Sequence, residues 1–208
     1  MTAAKASVII PAYNAQGTIA AAINAVLGQS YAGEIELIIV DDGSSDATAA
    51  IVRKHPGVKY VFQENQGPAS ARNRGATVAS GDIYLFTDSD CCPEVEWVRK
   101  MTGGFNDPSV GVVAGSYGIA NPQGVLARII HGEILFRHAR LMPEYPRSFG
   151  SYNFAIRARL FRRVGGFDCS YRRASGEDND LSYRICRAGM NIRFLKDVRV
   201  AHYHQQAL

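Results

Sequence analysis

Short apolar runs alternate with segments of helical spacing through the first half of the chain. The runs are rich in β-branched and aromatic residues, as interior strands are, and they lie at residues 7–10, 34–40, 58–62 and 83–86. Three helices are predicted between these runs. The first covers residues 17–29, the second ends at residue 52 with Ser44 or Ser45 as its N-cap, and the third runs from Gly67-Pro68 to residue 78. This alternation predicts an α/β fold with a mainly parallel central sheet flanked by helices, and Pro11 is expected to end the first strand.

The second half predicts further elements of both kinds. A helix over residues 97–105 precedes a strand at residues 110–114, and a short strand follows at residues 151–156. Another helix is expected after the acidic residues 177–180, with Gly189 as its C-cap, and alternation predicts a last strand that places His202 and His204 on one face. Residues 124–142 mix apolar and basic side chains. Such a basic amphipathic helix either packs against its own domain or lies on a membrane surface.

Length and composition limit the possible classes of function. At 208 residues, 47% hydrophobic and 20% charged, the chain is expected to form one soluble domain. The N-terminus lacks the residue order of a signal peptide, and no apolar run approaches the roughly 20 residues of a spanning helix, so a cytoplasmic location is expected. The net charge of +4 does not require nucleic acid, although the many arginines of the second half favour anionic substrates or lipid headgroups. The spacing of the four cysteines indicates neither a disulfide framework nor a zinc site.

Asp88-Ser89-Asp90 follows directly on the apolar run at residues 83–86. Two carboxylates one residue apart on a bend can share one space, where their charges repel unless a cation neutralises both. Oxygen ligands suit Mg²⁺ or Mn²⁺, which commonly bind substrate phosphates as well. The motif therefore indicates a metal–diphosphate site, and an Asp-rich turn without any ligand is the simpler alternative.

Three loops are expected to meet at one edge of the predicted sheet, because ligands of such sheets bind at the carboxyl ends of the strands. The loops carry the following candidates: Pro11, Tyr13, Asp42, Asp88 and Asp90. Tyr13 offers a ring for stacking on a base, Asp42 can accept a hydrogen bond from a ring N–H, and Arg72 or Arg74 can pair with a base edge or a phosphate. A surface tyrosine, an Asx-turn and solvated arginines would explain each feature singly. Together the features indicate a nucleotide site.

A second acidic cluster, Glu177-Asp178-Asn179-Asp180, lies at the predicted start of a helix. Carboxylates complement the positive end of a helix, so N-capping would account for Asp178 alone. It does not account for three acids in four positions, and the cluster is therefore a second candidate for chemistry. The spacing of His202 and His204 fits either exposed residues or ligands.

Six segments resemble the family 2 glycosyltransferases of GT-A fold in order and spacing, and they extend over nearly the whole chain. They are SVIIPAYN, VDDGSSD, NQGPASARNRG, FTDSD, VGGFD and GEDNDLSYRICRAG. The resemblance implies a single GT-A-type domain that transfers a sugar from a nucleotide-diphosphosugar, with inversion at the anomeric carbon and assistance from Mg²⁺ or Mn²⁺. The Gln-x-x-Arg-Trp sequence and the membrane helices of processive synthases are not found in this sequence, so transfer of a single sugar is expected.

The resemblance assigns donor-binding roles to residues of the first half. Pro11 and Tyr13 would border the nucleoside, Asp42 would bind the base with Arg72 beside it, and Asp88 would hold the ribose or the sugar. Residues 1–92 would then form the nucleotide-binding half. Uridine and deoxythymidine both present a ring N–H to an accepting carboxylate, so UDP or dTDP is the expected carrier.

The same carry-over assigns the metal and the base. Asp90 would hold the metal, with His202 near the metal or the diphosphate, and Asp178, paired with Glu177, would deprotonate the acceptor hydroxyl. We expect burial or this pairing to raise the pKa of Asp178. Residues 93–208 would form the acceptor-binding half, for a saccharide or lipid-linked acceptor, and peripheral contact with the inner face of the cell membrane is compatible with its basic character.

Other classes of protein are compatible with parts of the pattern. A phosphotransferase or phosphatase would use Asp88 as a nucleophile, but by resemblance that class carries its Asp-x-Asp on the first strand. A nicotinamide-dependent dehydrogenase is disfavoured because no G-x-G-x-x-G follows the first strand. A nucleotidyltransferase lacks its early Gly-rich, Arg-containing loop here. A nucleotide-sugar-binding protein without transferase activity is the non-enzymatic alternative.

Overall fold

The computed structural model describes residues 3–173 and 176–204, and an eight-stranded sheet runs through these ranges. The strands β1 to β8 are, in chain order, Ala6–Ala12, Ile35–Asp42, Val58–Gln63, Ile83–Thr87, Cys91–Pro93, Val110–Ile119, Asn153–Arg157 and Asn191–His202. The helices α1 to α7 are Ile19–Leu27, Thr48–Val52, Pro68–Val78, Trp97–Gly103, Val125–Arg140, Ala158–Arg163 and Glu177–Arg187. A short 3₁₀ helix, Gly104–Asn106, follows α4.

The sheet has the order β3-β2-β1-β4-β7-β6-β8-β5 and is mixed. Strands β1 to β4 pair in parallel, as the alternation of strands and helices predicts. Strand β7 is antiparallel to both β4 and β6, β8 is parallel to β6, and β5 is antiparallel to β8. The predicted α/β class is confirmed, with the parallel pairing concentrated in the first half of the chain.

Apolar layers cover both faces of the sheet. Side chains alternate along β1, so Val8 and Ile10 pack on one face and Ile9 packs on the other. Helices α1, α2 and α4 cover the first face, and α3, α6 and α7 cover the second. None of the helices in the described ranges has both the length and the apolar character needed to cross a bilayer.

Two local predictions are wrong. Pro11 does not end β1 but pairs with Val40 inside the strand. A residue without an N–H is tolerated there because β1 pairs with β4 only as far as Ile9, which leaves one side of the strand without a neighbour beyond that point. Ser44 and Ser45 do not cap α2, which begins later; their backbone N–H groups donate to the side chains of Asp41 and Asn14 instead.

Two other segments differ from the prediction in extent or in packing. Strand β8 ends at His202, so His204 lies just beyond the sheet. Helix α5 forms as predicted, but its apolar side chains do not all face the protein: Val125, Ile129 and Phe136 are each between 62% and 64% exposed, whereas His138 is buried.

Asn153 ties the later strands together next to the carboxyl end of β4. Its side-chain oxygen accepts a hydrogen bond from the buried indole of Trp97 at 2.8 Å, and its side-chain nitrogen donates to the carbonyls of Ser116 and Val198 at 2.9 and 3.1 Å. Every polar atom of this buried amide and indole is thereby satisfied. The contacts fix β6, β7 and β8 relative to α4 and so position the histidines at the end of β8.

Candidate active site

A cavity of about 610 Å³ opens where β1, β2 and β4 end. It brings together the donor-side residues predicted from the sequence except Arg74, which lines another cavity, and it adds two arginines that were not predicted for the site. Its lining includes Pro11, Tyr13, Asp42, Gly67, Arg72, Asp88, Asp90, Arg172 and Arg173. A cavity of similar size, about 660 Å³, lies between α4, α5 and β8, but it contains no residue of the six motifs. Chemistry rather than size therefore identifies the candidate site.

Asp42 holds the loop that leads into α3. Its Oδ1 accepts hydrogen bonds from Gln63 Nε2 at 2.7 Å and from the Gln66 backbone N–H at 2.9 Å, and its Oδ2 accepts from the Gly67 N–H at 2.9 Å. A carboxylate has about four acceptor positions, so capacity for a further donor is left. Asp42 is buried at the cavity wall and shapes this loop as well as lining the cavity.

Tyr13 stands at the mouth of the cavity with a side chain that is 55% exposed. The chain turns immediately after it: Asn14 adopts a positive φ of 48° and its Oδ1 accepts from the Ser45 N–H at 2.9 Å. The tyrosine ring is thus held on a fixed turn with an open face, an arrangement on which a flat base can stack.

Arg72 joins the donor cavity to the second acidic cluster. Its guanidinium lies 2.8 Å from Asp88 Oδ1 and 3.4 Å from Glu177 Oε1, and its side chain is 5% exposed. The resemblance predicts Arg72 beside a base; in the structure its guanidinium contacts two carboxylates, one directly after β4 and one at the start of α7. Arg72 and Glu177 lie 105 residues apart in the sequence, so no local pattern predicts this contact.

Asp90, which lines the cavity, and His202 beside it form a pair suited to a divalent cation. His202 Nε2 lies 3.3 Å from Asp90 Oδ2, and the potential ligand atoms of Asp90, Cys91 and His202 all lie within 4.8 Å of one another. Burial opposes ionisation of Asp90, but the hydrogen bond and charge of His202 outweigh it and lower the pKa of the carboxyl. Burial raises the pKa of the Cys91 thiol well above its usual range, so the sulfur stays protonated. One carboxylate and one imidazole fit a cation that takes its other ligands from water and phosphate.

A stacked aromatic pair packs beside His202. Tyr117 and Tyr152 lie with ring centroids 3.7 Å apart, and Tyr117 also meets the ring of His202 edge-on. Burial raises the pKa of both phenols; the charge of Asp88 contributes to both increases and that of Asp178 to the increase at Tyr152. Tyr117 was not predicted from the sequence, because the predicted strand stopped at residue 114 whereas β6 continues to Ile119.

Asp178 lies at the start of α7 in a second cavity of about 430 Å³, formed with residues of α5 and the segment before β7. Burial raises the pKa of its carboxyl, against the opposing charge of Arg72. The expected direction of this pKa shift is confirmed, with burial as its first cause. One carboxylate oxygen, Oδ1, is buried without a hydrogen-bond partner among the described residues. An oxygen of this kind can accept a proton or a hydroxyl donor from a ligand.

Open α/β sheets bind ligands at the carboxyl ends of their strands, which is where the carboxylates of this chain lie. The sequence profile described as Glycosyl transferase family 2 matches residues 7–174. The chain belongs to this family.

Curated relatives are similar over most of the chain. The probable glycosyltransferase YdaM of Bacillus subtilis is 32% identical over 206 residues, covering 91% of this chain and 48% of that protein. The pre-mycofactocin glycosyltransferase of Mycobacterium tuberculosis is 30% identical over 214 residues, covering 97% of this chain and 43% of that protein. The chain thus spans about half the length of these relatives.

Solved structures share the fold. A mannosyltransferase from Pyrobaculum calidifontis, in complex with GDP-Man and Mn²⁺, has a TM-score of 0.76 at 24% identity and covers 98% of this chain and 58% of its own. TarS residues 1–349 from S. aureus, in complex with UDP-GlcNAc, has a TM-score of 0.75 at 21% identity; the match covers 98% of this chain and 60% of that one. The described ranges therefore have the GT-A fold.

Proposed function

We propose that the protein is an inverting, metal-assisted glycosyltransferase of hexosyltransferase type, which moves one sugar from a nucleotide-diphosphosugar to an acceptor hydroxyl. One observation carries the proposal: Asp90, paired with His202, lines one cavity, and Asp178, a half-buried carboxylate of raised pKa, lines a second cavity that Arg72 joins to the first through Glu177. Direct displacement needs stabilisation of the leaving group at one end and a base at the other, and the two cavities supply one each.

The donor is assigned to the cavity at the ends of β1, β2 and β4. Tyr13 stacks on the base beside Pro11, Asp42 accepts from a base N–H, and Asp88 holds the ribose or the sugar. A uracil or thymine ring offers that N–H, so UDP or dTDP is the proposed carrier. Residues 1–92 supply most of this binding, and Arg172 and Arg173 reach it from residues 93–208, which supply the acceptor side and the base.

Each end of the displacement has its own residues. Bound at Asp90 and His202, Mg²⁺ or Mn²⁺ supplies positive charge to the departing diphosphate, and the mannosyltransferase neighbour is described with Mn²⁺. Asp178 takes the proton from the acceptor hydroxyl as that oxygen attacks the anomeric carbon. A single displacement from the face opposite the leaving group inverts the configuration. Arg72, held by Asp88 and Glu177, fixes the distance between the two ends.

The acceptor is proposed to be a saccharide, carried on a lipid at the inner face of the cell membrane, as in glycolipid or polysaccharide biosynthesis. Helix α5 supports this, because the exposed Val125, Ile129 and Phe136 lie on the same helix as the exposed Arg128 and Arg140. Apolar side chains beside arginines complement an anionic lipid surface. The C-terminal part of α5 also lines the cavity of Asp178, so a membrane-bound acceptor would meet the base there.

Release of nucleoside diphosphate tests the transferase. The purified protein is incubated with a panel of nucleotide sugars in Mn²⁺, in Mg²⁺ and in chelator, beside Asp90→Ala, Asp178→Asn and the exposed control Asp107→Asn. We expect metal-dependent release from one donor class, lost in Asp90→Ala and retained in the control. Removing a general base typically costs about 10²–10⁴-fold, and Asp178→Asn is expected within that range when acceptor is present.

Three results would contradict the proposal. If folded Asp178→Asn kept full acceptor-dependent turnover, Asp178 would not be the general base. Release of inorganic phosphate that is lost in Asp88→Asn would favour the phosphatase alternative, in which water accepts the phosphoryl group. Tight donor binding with neither hydrolysis nor transfer would favour a binding protein.

Flotation with lipid vesicles tests the membrane contact separately. We expect binding to phosphatidylglycerol vesicles, little binding to phosphatidylcholine, and loss on Ile129→Ser with Phe136→Ser. Val95→Ser serves as control, because Val95 is 60% exposed but lies outside α5. Equal flotation of the double variant would refute the role of α5, and concentration-dependent dimerisation abolished by the same variant would assign this face to a second copy of the chain.

A further inference from the structure

His204 is held more firmly than an ordinary residue beyond the end of a strand. It lies two positions after the end of β8, yet its side chain is buried and the residue is 5% exposed. Asn121 fixes its backbone from both sides: the Asn121 side-chain nitrogen donates to the His204 carbonyl at 2.6 Å, and the His204 N–H donates to Asn121 Oδ1 at 3.0 Å. The rings of Tyr117 and His131 pack against the imidazole, with centroids at 6.1 and 5.6 Å. The orientation of the ring is therefore set by the fold.

That orientation aims one nitrogen of His204 at His202. The two Nδ1 atoms lie 3.1 Å apart, a hydrogen-bond distance, while the other nitrogen of His202, Nε2, lies 3.3 Å from Asp90 Oδ2. His202 thus stands between a carboxylate and a second imidazole. A neutral imidazole carries a single N–H, so the contact made by one ring nitrogen decides what the other can do.

We propose that His204 is a positioning residue for the metal site: its Nδ1 accepts the Nδ1–H of His202, which leaves the Nε2 lone pair of His202 directed to a cation beside Asp90. The inference rests on the proposed function, because it concerns the same cation. Histidine ligands commonly donate their second N–H to a carboxylate, a carbonyl or water, which fixes the tautomer and orients the ring. Here a buried imidazole takes that place.

The alternative tautomer shows why such a partner matters. Without an acceptor at Nδ1, His202 can place its proton on Nε2 and donate it to Asp90 across the 3.3 Å gap. That hydrogen bond would occupy a lone pair of each prospective ligand and close the cation site. An Nδ1 of His204 that accepts from His202 favours the open arrangement, whereas an Nδ1–H there would favour the closed one. The open arrangement places the proton of His204 on Nε2, which is buried without a hydrogen-bond partner among the described residues, so binding of the cation has to offset the cost of that unpaired N–H.

Two substitutions of His204 distinguish the effect of its hydrogen-bond acceptor from the effect of its packing. Asparagine places Oδ1 where histidine has Nδ1, whereas leucine has a similar shape and no acceptor. Mn²⁺ is titrated into each folded variant in the presence of UDP, and again GDP, and free Mn²⁺ is measured by electron paramagnetic resonance. We expect His204→Leu to weaken Mn²⁺ binding by about 10–100-fold and His204→Asn to restore most of it. Nucleotide binding without metal should not change in either variant.

The outcomes distinguish this inference from the proposed function. If the wild type binds Mn²⁺, Asp90→Ala does not, and His204→Leu binds like the wild type, only the role of His204 is overturned. If the wild type binds no Mn²⁺ with either nucleotide, the metal site of the proposed function fails, and this inference fails with it. If His204→Leu does not fold, nitrogen-15 spectra of wild-type His202 with bound Mg²⁺ decide: a protonated Nδ1 supports the inference, and a protonated Nε2 overturns it.

Discussion

Arg72→Met tests the ion pairs that join the two cavities. The Arg72 side chain is 5% exposed and contacts Glu177, which is 3% exposed, at 3.4 Å and Asp88, which is 32% exposed, at 2.8 Å. Removing one partner of a buried ion pair costs about 3–5 kcal/mol. Because Asp88 is partly solvated and Glu177 also accepts a hydrogen bond from the Gly176 N–H, we expect a loss near the lower limit, about 3 kcal/mol. That is a large share of the roughly 5–15 kcal/mol that stabilise a domain.

Urea unfolding at pH 7.5, followed by circular dichroism, measures this loss. The double variant Arg72→Met with Glu177→Gln should recover part of it, because the amide removes one buried negative charge. Arg99→Met is the control: Arg99 pairs with Glu96 at the surface, where both side chains are exposed, and exposed pairs contribute at most about 1 kcal/mol. A loss below about 1 kcal/mol for Arg72→Met, or a double variant no more stable than the single one, would refute the reasoning.

Two further substitutions test the site from other directions. Folding raises the pKa of Asp178 above its ordinary value of 3.8, so the ionised carboxylate lowers the stability of the fold at neutral pH. Asp178→Asn should therefore raise the thermal midpoint at pH 7.5. This gain should shrink as the pH falls through the folded pKa and disappear below pH 3.8. Equal midpoints at pH 7.5 would show that the carboxyl is not buried as described. Gly67→Ala should lower both stability and donor affinity, because φ is +90° and a Cβ would lie 2.3 Å from the Arg172 carbonyl, beside the N–H that Asp42 binds. Gly165→Ala is the control, because Gly165 has a similar φ of +85° but open space around the added Cβ, so it reports the backbone strain alone. An equal loss of stability in both alanine variants would show that the close contact at Gly67 contributes nothing.

The sequence predicted the parts of the site that depend on strand ends. Asp42 and Asp88 follow separate apolar runs, and parallel strands bring their carboxyl ends to one edge, so their proximity followed from the pattern. The contact of Arg72 with Glu177 could not be predicted in this way, because helical spacing does not show which faces of α3 and α7 meet. Pro11 was misplaced for a related reason: its tolerance inside β1 depends on where β4 stops pairing, which is a property of the assembled sheet.

The charge balance of the donor cavity gives its own reason for a metal. A diphosphate brings negative charge to a rim that already carries Asp88 and Asp90, and Arg72 is engaged by Asp88 and Glu177. The other arginines of the described lining are Arg172 and Arg173, both from the second half of the chain. Like charges at contact distance repel unless a cation lies between them. We therefore expect chelation to abolish turnover and to weaken donor binding, measured by calorimetry, without abolishing it. Donor affinity unchanged in chelator would mean that the cation serves only the departing diphosphate.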